Sequence, residues 1–176
     1  PYGRRDGWLN RMLGLLPAAD SRAVGIAAAV PLALRGAQAA ANYAPSRLPG
    51  IDEDLMMRLS MLYGADAQLG PIWQQAVDTK EMAGDIGGNN GRNGTQLGAL
   101  AARLMTGADG ARVMMIETGG WDTHSAQARR LEVQARGLDA LLVALKAGLG
   151  ADWASTLVIV ATEFGRTAAV NGTGGT

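Results

Sequence analysis

Cysteine is missing from the 176 residues, which excludes structural disulfides, thiolate metal ligands and a cysteine nucleophile while leaving the compartment open. Oxygen and imidazole are the ligand types that remain, and imidazole is scarce, because His124 is the single histidine. Neither sign of charge is in excess, since 16 basic residues balance 16 acidic ones. No window combines basic residues with interleaved aromatics, so nothing supports nucleic-acid binding, and an anionic partner would need a local site. No apolar run is long enough to span a bilayer, so no transmembrane segment is expected. Gly-x-Ser-x-Gly does not occur, and one histidine serves at most one of the hydroxyls of Thr118, Thr123, Ser125, Thr162 and Thr167, so a serine-hydrolase triad is not expected. The glycine-rich stretch 87–94 lacks the lysine-serine ending of a P-loop and follows no strand, which makes it a surface connection.

What is present suffices for a core: 48% of the residues are apolar and the length is that of one domain. Asp6 is placed to cap a helix reaching Leu16, with Trp8, Leu9, Met12, Leu13 and Leu16 on one face and Pro17 as a stop. Arg22, the apolar run 23–34 and the small residues 37–40 imitate a signal peptide. Pro31 interrupts that run and Arg35 precedes the cleavage position, so short strands at 23–30 and 31–34, or a buried segment, are expected instead. Residues 38–50, with Pro45 and Pro49, read as a loop. Asp52 or Asp54 opens a helix to Tyr63, Pro71 suits the first turn of one running to Ala83, and Thr95 caps another to Thr106.

Residues 112–117 and 156–162 are apolar, strand-like runs separated by a helix-length segment at 125–149. That order predicts a right-handed βαβ unit with parallel strands, hence an α/β fold whose mostly parallel sheet is flanked by helices. Both runs are apolar almost throughout, as strands covered on both faces are. Ligand crevices of such sheets lie outside the carboxyl ends of the strands, and a polar cluster follows each run there.

The first cluster is Gly119-Gly120-Trp121-Asp122-Thr123-His124. Asp122 and His124 can turn to one point if Thr123 faces away. An imidazole and a carboxylate suit zinc or manganese, yet two ligands fall short of the four or more a site needs. The same pair could work as an acid/base dyad or merely as a hydrogen-bonded loop pair. The second cluster is Thr162-Glu163-Phe164-Gly165-Arg166-Thr167. Glu163 stands where a carboxylate serves a site better than packing. Arg166 could hold a phosphate or sulfate through its planar fork, or pair with Glu163. Trp121 either roofs a pocket or fills a gap in the packing, and the polar residues from Gln127 to Arg136 read mostly as a solvated helix face.

These two clusters, with Gln127 and the run Asn171-Gly172-Thr173-Gly174-Gly175-Thr176, resemble the signature of the bacterial proteins called domain of unknown function 1501, grouped with the alkaline-phosphatase-like superfamily. The likeness covers 110–176 strongly and the earlier part by its order of helices and its Gly7-Trp8-Leu9 start. It implies an incomplete alkaline-phosphatase-like domain over 1–176, because members usually carry a twin-arginine export signal and a first strand before this region and Asp-His-Gly after it. A chain that opens on Pro1 and stops within a glycine-rich run fits a fragment of that kind. The resemblance further implies a periplasmic or exported protein with a metal site containing Asp122, His124 and Glu163. It gives Glu163 a part as ligand or base and Arg166 a part in steadying a small anionic ester. Phe164 stands where the wider superfamily commonly has a metal-binding histidine, which favours a non-catalytic binding or assembly protein as the alternative.

Overall fold

The structure, a computed structural model, describes residues 6–20, 22–44, 52–83 and 93–176. In chain order it holds α1 (Trp8–Leu13), β1 (Ala23–Ile26), β2 (Ala41–Tyr43), α2 (Glu53–Gly64), α3 (Leu69–Ala83), α4 (Gly94–Met105), β3 (Val113–Ile116) and α5 (Gln127–Leu149). Single 3-10 turns lie at Ala18–Asp20, Leu32–Leu34 and Gly150–Ser155. The chain is α/β, and its three-stranded sheet is wholly parallel in the order β2-β1-β3. Contacts gather into two compact units, one of residues 1–90 and 103–117, the other of 91–102 and 118–176.

In the first unit β1 is the central strand and is buried along its whole length, as the apolar run Ala23-Val24-Gly25-Ile26 requires. Ile26 pairs with Tyr43 on one side and Ile116 on the other, so the carboxyl ends of all three strands share one edge. Leu13, Ala23 and Leu34 form a core cluster, against which Leu9, Leu16, Val30, Ala40, Val113 and Met115 pack. The face of α1 differs from expectation: Trp8 is 54% exposed, while Asn10 takes a buried place. Asn10 tolerates burial because it is satisfied, donating from Nδ2 to the carbonyls of Leu34 and Gln38 and accepting from the Gln38 N–H at Oδ1. Gly7, without a side-chain cap, precedes α1 in place of Asp6, and the helix stops at Leu13, short of Leu16.

Two expectations along this stretch change. Residues 32–34 form a 3-10 turn after Pro31 instead of a strand. Residues 41–43, read as loop, form β2, whose three residues are too few to show a period. Pro45, Pro49 and most of the glycine-rich stretch lie outside the described residues. Farther on, Asp52 caps α2 by accepting from the Leu55 N–H, and Asp66 accepts from the Gln68 and Leu69 N–H groups where α3 begins. α2 and α3 pack together through Tyr63 and Trp73, whose ring centroids are 5.4 Å apart, with the indole N–H on Ser60 Oγ.

In the second unit the 94–102 part of α4 lies against α5. Leu97, Leu100, Ala101 and Ala102 on one side and Leu141, Leu145 and Leu149 on the other are buried at helical spacing. The approach is close enough that a Cβ on Gly98 would fall 2.2 Å from the Leu141 carbonyl oxygen. No helix among the described residues is long and apolar enough to cross a membrane.

The βαβ unit expected across 112–162 is not formed. Its first strand and helix are β3 and α5, but residues 156–162 form no strand, and the sheet partner of β3 is β1. Leu157, Val158, Ile159 and Val160 are 83, 38, 67 and 61% exposed. The preference of such residues for strands expresses their fit to a neighbouring strand and a covering layer; with neither supplied among the described residues, the run stays unpaired.

Candidate functional site

The candidate residues lie in the second unit on two loops, 118–126 before α5 and 163–176 after the unpaired run. Thr123 is 1% exposed and turns inward, its hydroxyl without a hydrogen-bond partner among the described residues. Its neighbours therefore point the other way: the side chains of Asp122 and His124 are 64 and 71% exposed, and His124 Nε2 lies 2.7 Å from Asp122 Oδ1. The alternation of an inward threonine between two outward polar groups is the arrangement the Asp-x-His spacing suggests.

Arg166 joins the pair from the second loop. One of its terminal nitrogens is 3.3 Å from Asp122 Oδ1 and donates to the Trp121 carbonyl at 2.9 Å, while the other donates to the Thr176 carbonyl at 2.8 Å. The guanidinium lies 5.1 Å from the centroid of the Phe164 ring, and the side chain is 19% exposed. The sequence offered Glu163 as an ion-pair partner for Arg166; the structure places that charge on Asp122. Glu163 is exposed, and among the described residues no three His, Cys, Asp or Glu side chains gather closely enough to hold a metal ion. Trp121 is half-buried, its indole N–H on Thr118 Oγ1 at 2.9 Å.

The segment 171–176 fixes the loop in a way that sequence reasoning missed. Asn171 Nδ2 and Thr173 Oγ1 both donate to the His124 carbonyl, each at 2.9 Å. Asn171 Oδ1 in turn accepts from the N–H groups of Thr173 and Gly175, an Asx-type turn. A Cβ on Gly175 would fall 2.2 Å from the His124 carbonyl oxygen, so the close approach demands glycine. The carbonyls of Thr173 and Gly174 accept from the N–H groups of Ala126 and Gln127, closing the amino end of α5. Ala126 is held there at φ 47° and ψ 41°, in the left-handed region that opposes an L side chain. This conformation is why α5 begins at Gln127, two residues after the expected Ser125. The signal that could have revealed the latch was Asn171-Gly172, a turn former, inside a run otherwise too rich in glycine to be packing.

The arrangement offers an open carboxylate-imidazole pair whose backbone is pinned from both sides and whose negative charge is met by the half-buried Arg166. Compared with known proteins, the whole of residues 1–176 matches the family described as Protein of unknown function (DUF1501). No curated protein and no solved structure matches the chain.

Proposed function

The chain belongs to the DUF1501 family of proteins of unknown function, and from that premise we propose that it is an exported, periplasmic hydrolase of the alkaline-phosphatase-like type, cleaving phosphate or sulfate esters with the help of a divalent metal. The observation that carries the reading is the convergence on one carboxylate oxygen: Asp122 Oδ1 meets His124 Nε2 at 2.7 Å and Arg166 at 3.3 Å. The donor types suit zinc or manganese, one carboxylate and one imidazole, but their number does not, because a zinc centre takes at least three protein ligands and Glu163 is not grouped with the pair.

What the chain's own residues supply is proton handling and position. A proton on Nε2 sits beside the Asp122 carboxylate, leaving Nδ1 of the exposed ring as the nitrogen that accepts one from water attacking the ester phosphorus or sulfur. As the new bond to water oxygen forms, the ester bond to the leaving oxygen breaks, and that oxygen takes its proton from solvent. Glu163, exposed on the second loop, is the further carboxylate available as base. Arg166 acts through Asp122, restraining it, since its terminal nitrogens are bonded to protein acceptors.

That same commitment of Arg166 favours a second reading, an exported binding or assembly protein that keeps the fold without the chemistry. Aryl phosphate and aryl sulfate assays with added zinc or manganese, beside calorimetric titration of each metal, separate the two. Turnover that falls by about 100-fold or more in Asp122→Asn and His124→Ala supports the hydrolase. A protein that neither turns over either ester nor takes up either metal is the non-catalytic one.

A further inference from the structure

An open surface hollow of about 420 Å³ in the 118–176 segment is lined by Gly120, Ala126, Arg129, Arg130, Val133 and Gln134, a volume toward the small end of the range for small-molecule sites. Arg129 and Arg130 stand side by side on the first turns of α5. Among the described residues neither guanidinium has an acidic or hydrogen-bonding partner, whereas Arg136, about two turns on, is paired with Glu132, and Arg166 is paired with Asp122. Two adjacent unneutralised cations repel, and an anion lying between them removes that repulsion while gaining charge-assisted hydrogen bonds. The remaining wall is mostly apolar, with Val133 and the Ala126 methyl as its side chains. Gly120 closes one end: its φ is 88°, and a Cβ there would sit 2.4 Å from Gln134 Nε2, so the bare backbone and the Gln134 amide lie together.

We propose that this hollow binds a small organic anion, its oxyanion head bridging Arg129 and Arg130 and its apolar body resting on Val133 and Ala126. Two cations alone would serve any anion; the apolar wall beside them selects one that carries hydrocarbon. The site does not depend on the hydrolase reading, because none of its residues belongs to the Asp122, His124, Glu163 and Arg166 set.

Titration of the protein with benzoate, benzyl alcohol and inorganic phosphate, followed by NMR of the Val133 methyls and the Gln134 amide, tests it. Benzoate is expected to shift these signals at low millimolar concentration or below, with benzyl alcohol and phosphate each about tenfold weaker or worse. Arg129→Ala with Arg130→Ala is expected to weaken benzoate about tenfold, and Arg136→Ala, which removes equal charge per residue from the same helix, to leave it unchanged. Equal response to benzyl alcohol would remove the role of the arginines, and equal response to phosphate would remove that of the apolar wall. Shifts centred on His124 instead, or no shift up to about 10 mM, would overturn the assignment. The ligand comparison on the unaltered protein keeps the test decisive even if the double variant is poorly folded.

Discussion

Asp66 shows how far a single exposed carboxylate can be tuned by local backbone. Its Oδ1 accepts from the Leu69 N–H and the Gln68 N–H, each at 2.8 Å. Those bonds, Leu69 first, hold its pKa below the ordinary carboxylate value. A depressed folded-state pKa means that the stabilisation is present above the unfolded value and drains away as pH falls through the lowered one. The start of α3 is therefore expected to loosen in acid, with faster amide exchange at Gln68 and Leu69. Asp66→Asn should abolish that acid dependence while keeping most of the cap at neutral pH, and an unchanged acid response in this variant would show that another group is responsible. At this scale the sequence revealed the residues that carry formal charge or an imidazole. Asp122, His124 and Arg166 stood out because polar groups after an apolar run serve packing poorly, and the structure brings those three together. Asn10 and Asn171 were not legible. Asn10 works through backbone groups at least 24 residues away, and Asn171, beyond its local turn, through the His124 carbonyl 47 residues away; no local pattern encodes those distant partners.

Among the elements, the helices were the legible part, since a 3.6-residue period, a cap and a breaker are all local properties. Asp52 does cap α2, and the α3, α4 and α5 spans differ from expectation by only a residue or two at their ends. Strands fared unevenly: β1 and β3 occur within the expected runs, but residues 156–162 have the composition of a strand without a partner. Helix pairing has its own hidden requirement, illustrated by Gly98. Its side of α4 meets the α5 backbone so closely that a methyl would lie 2.2 Å from the Leu141 carbonyl oxygen and 2.9 Å from the Leu145 nitrogen. Neither backbone atom can swing aside. Gly98→Ala is expected to cost about 1–3 kcal/mol despite alanine's better helix propensity, because the two helices must part. Urea unfolding checks this, and a more stable variant would mean that the approach is looser than described.

For the molecule as a whole, the parallel sheet has a consequence in time. Ala23 pairs with Val113 and Ile26 with Ile116, partners about 90 residues apart. Loop closure on that scale precedes any reward from the pairing, so refolding is expected in milliseconds to seconds, far slower than α4 and α5 could form alone. Stopped-flow measurements should find that Val24→Ala slows refolding if the strand pair is formed in the transition state, and chiefly speeds unfolding if it is not. During synthesis the delay is longer. At about 5–20 residues per second, β1 leaves the ribosome roughly 5–20 s before β3 exists to cover its flank. Through that interval Ala23-Val24-Gly25-Ile26, the most thoroughly buried strand among the described residues, keeps one apolar flank uncovered, where chaperones can hold it and proteases can cut it.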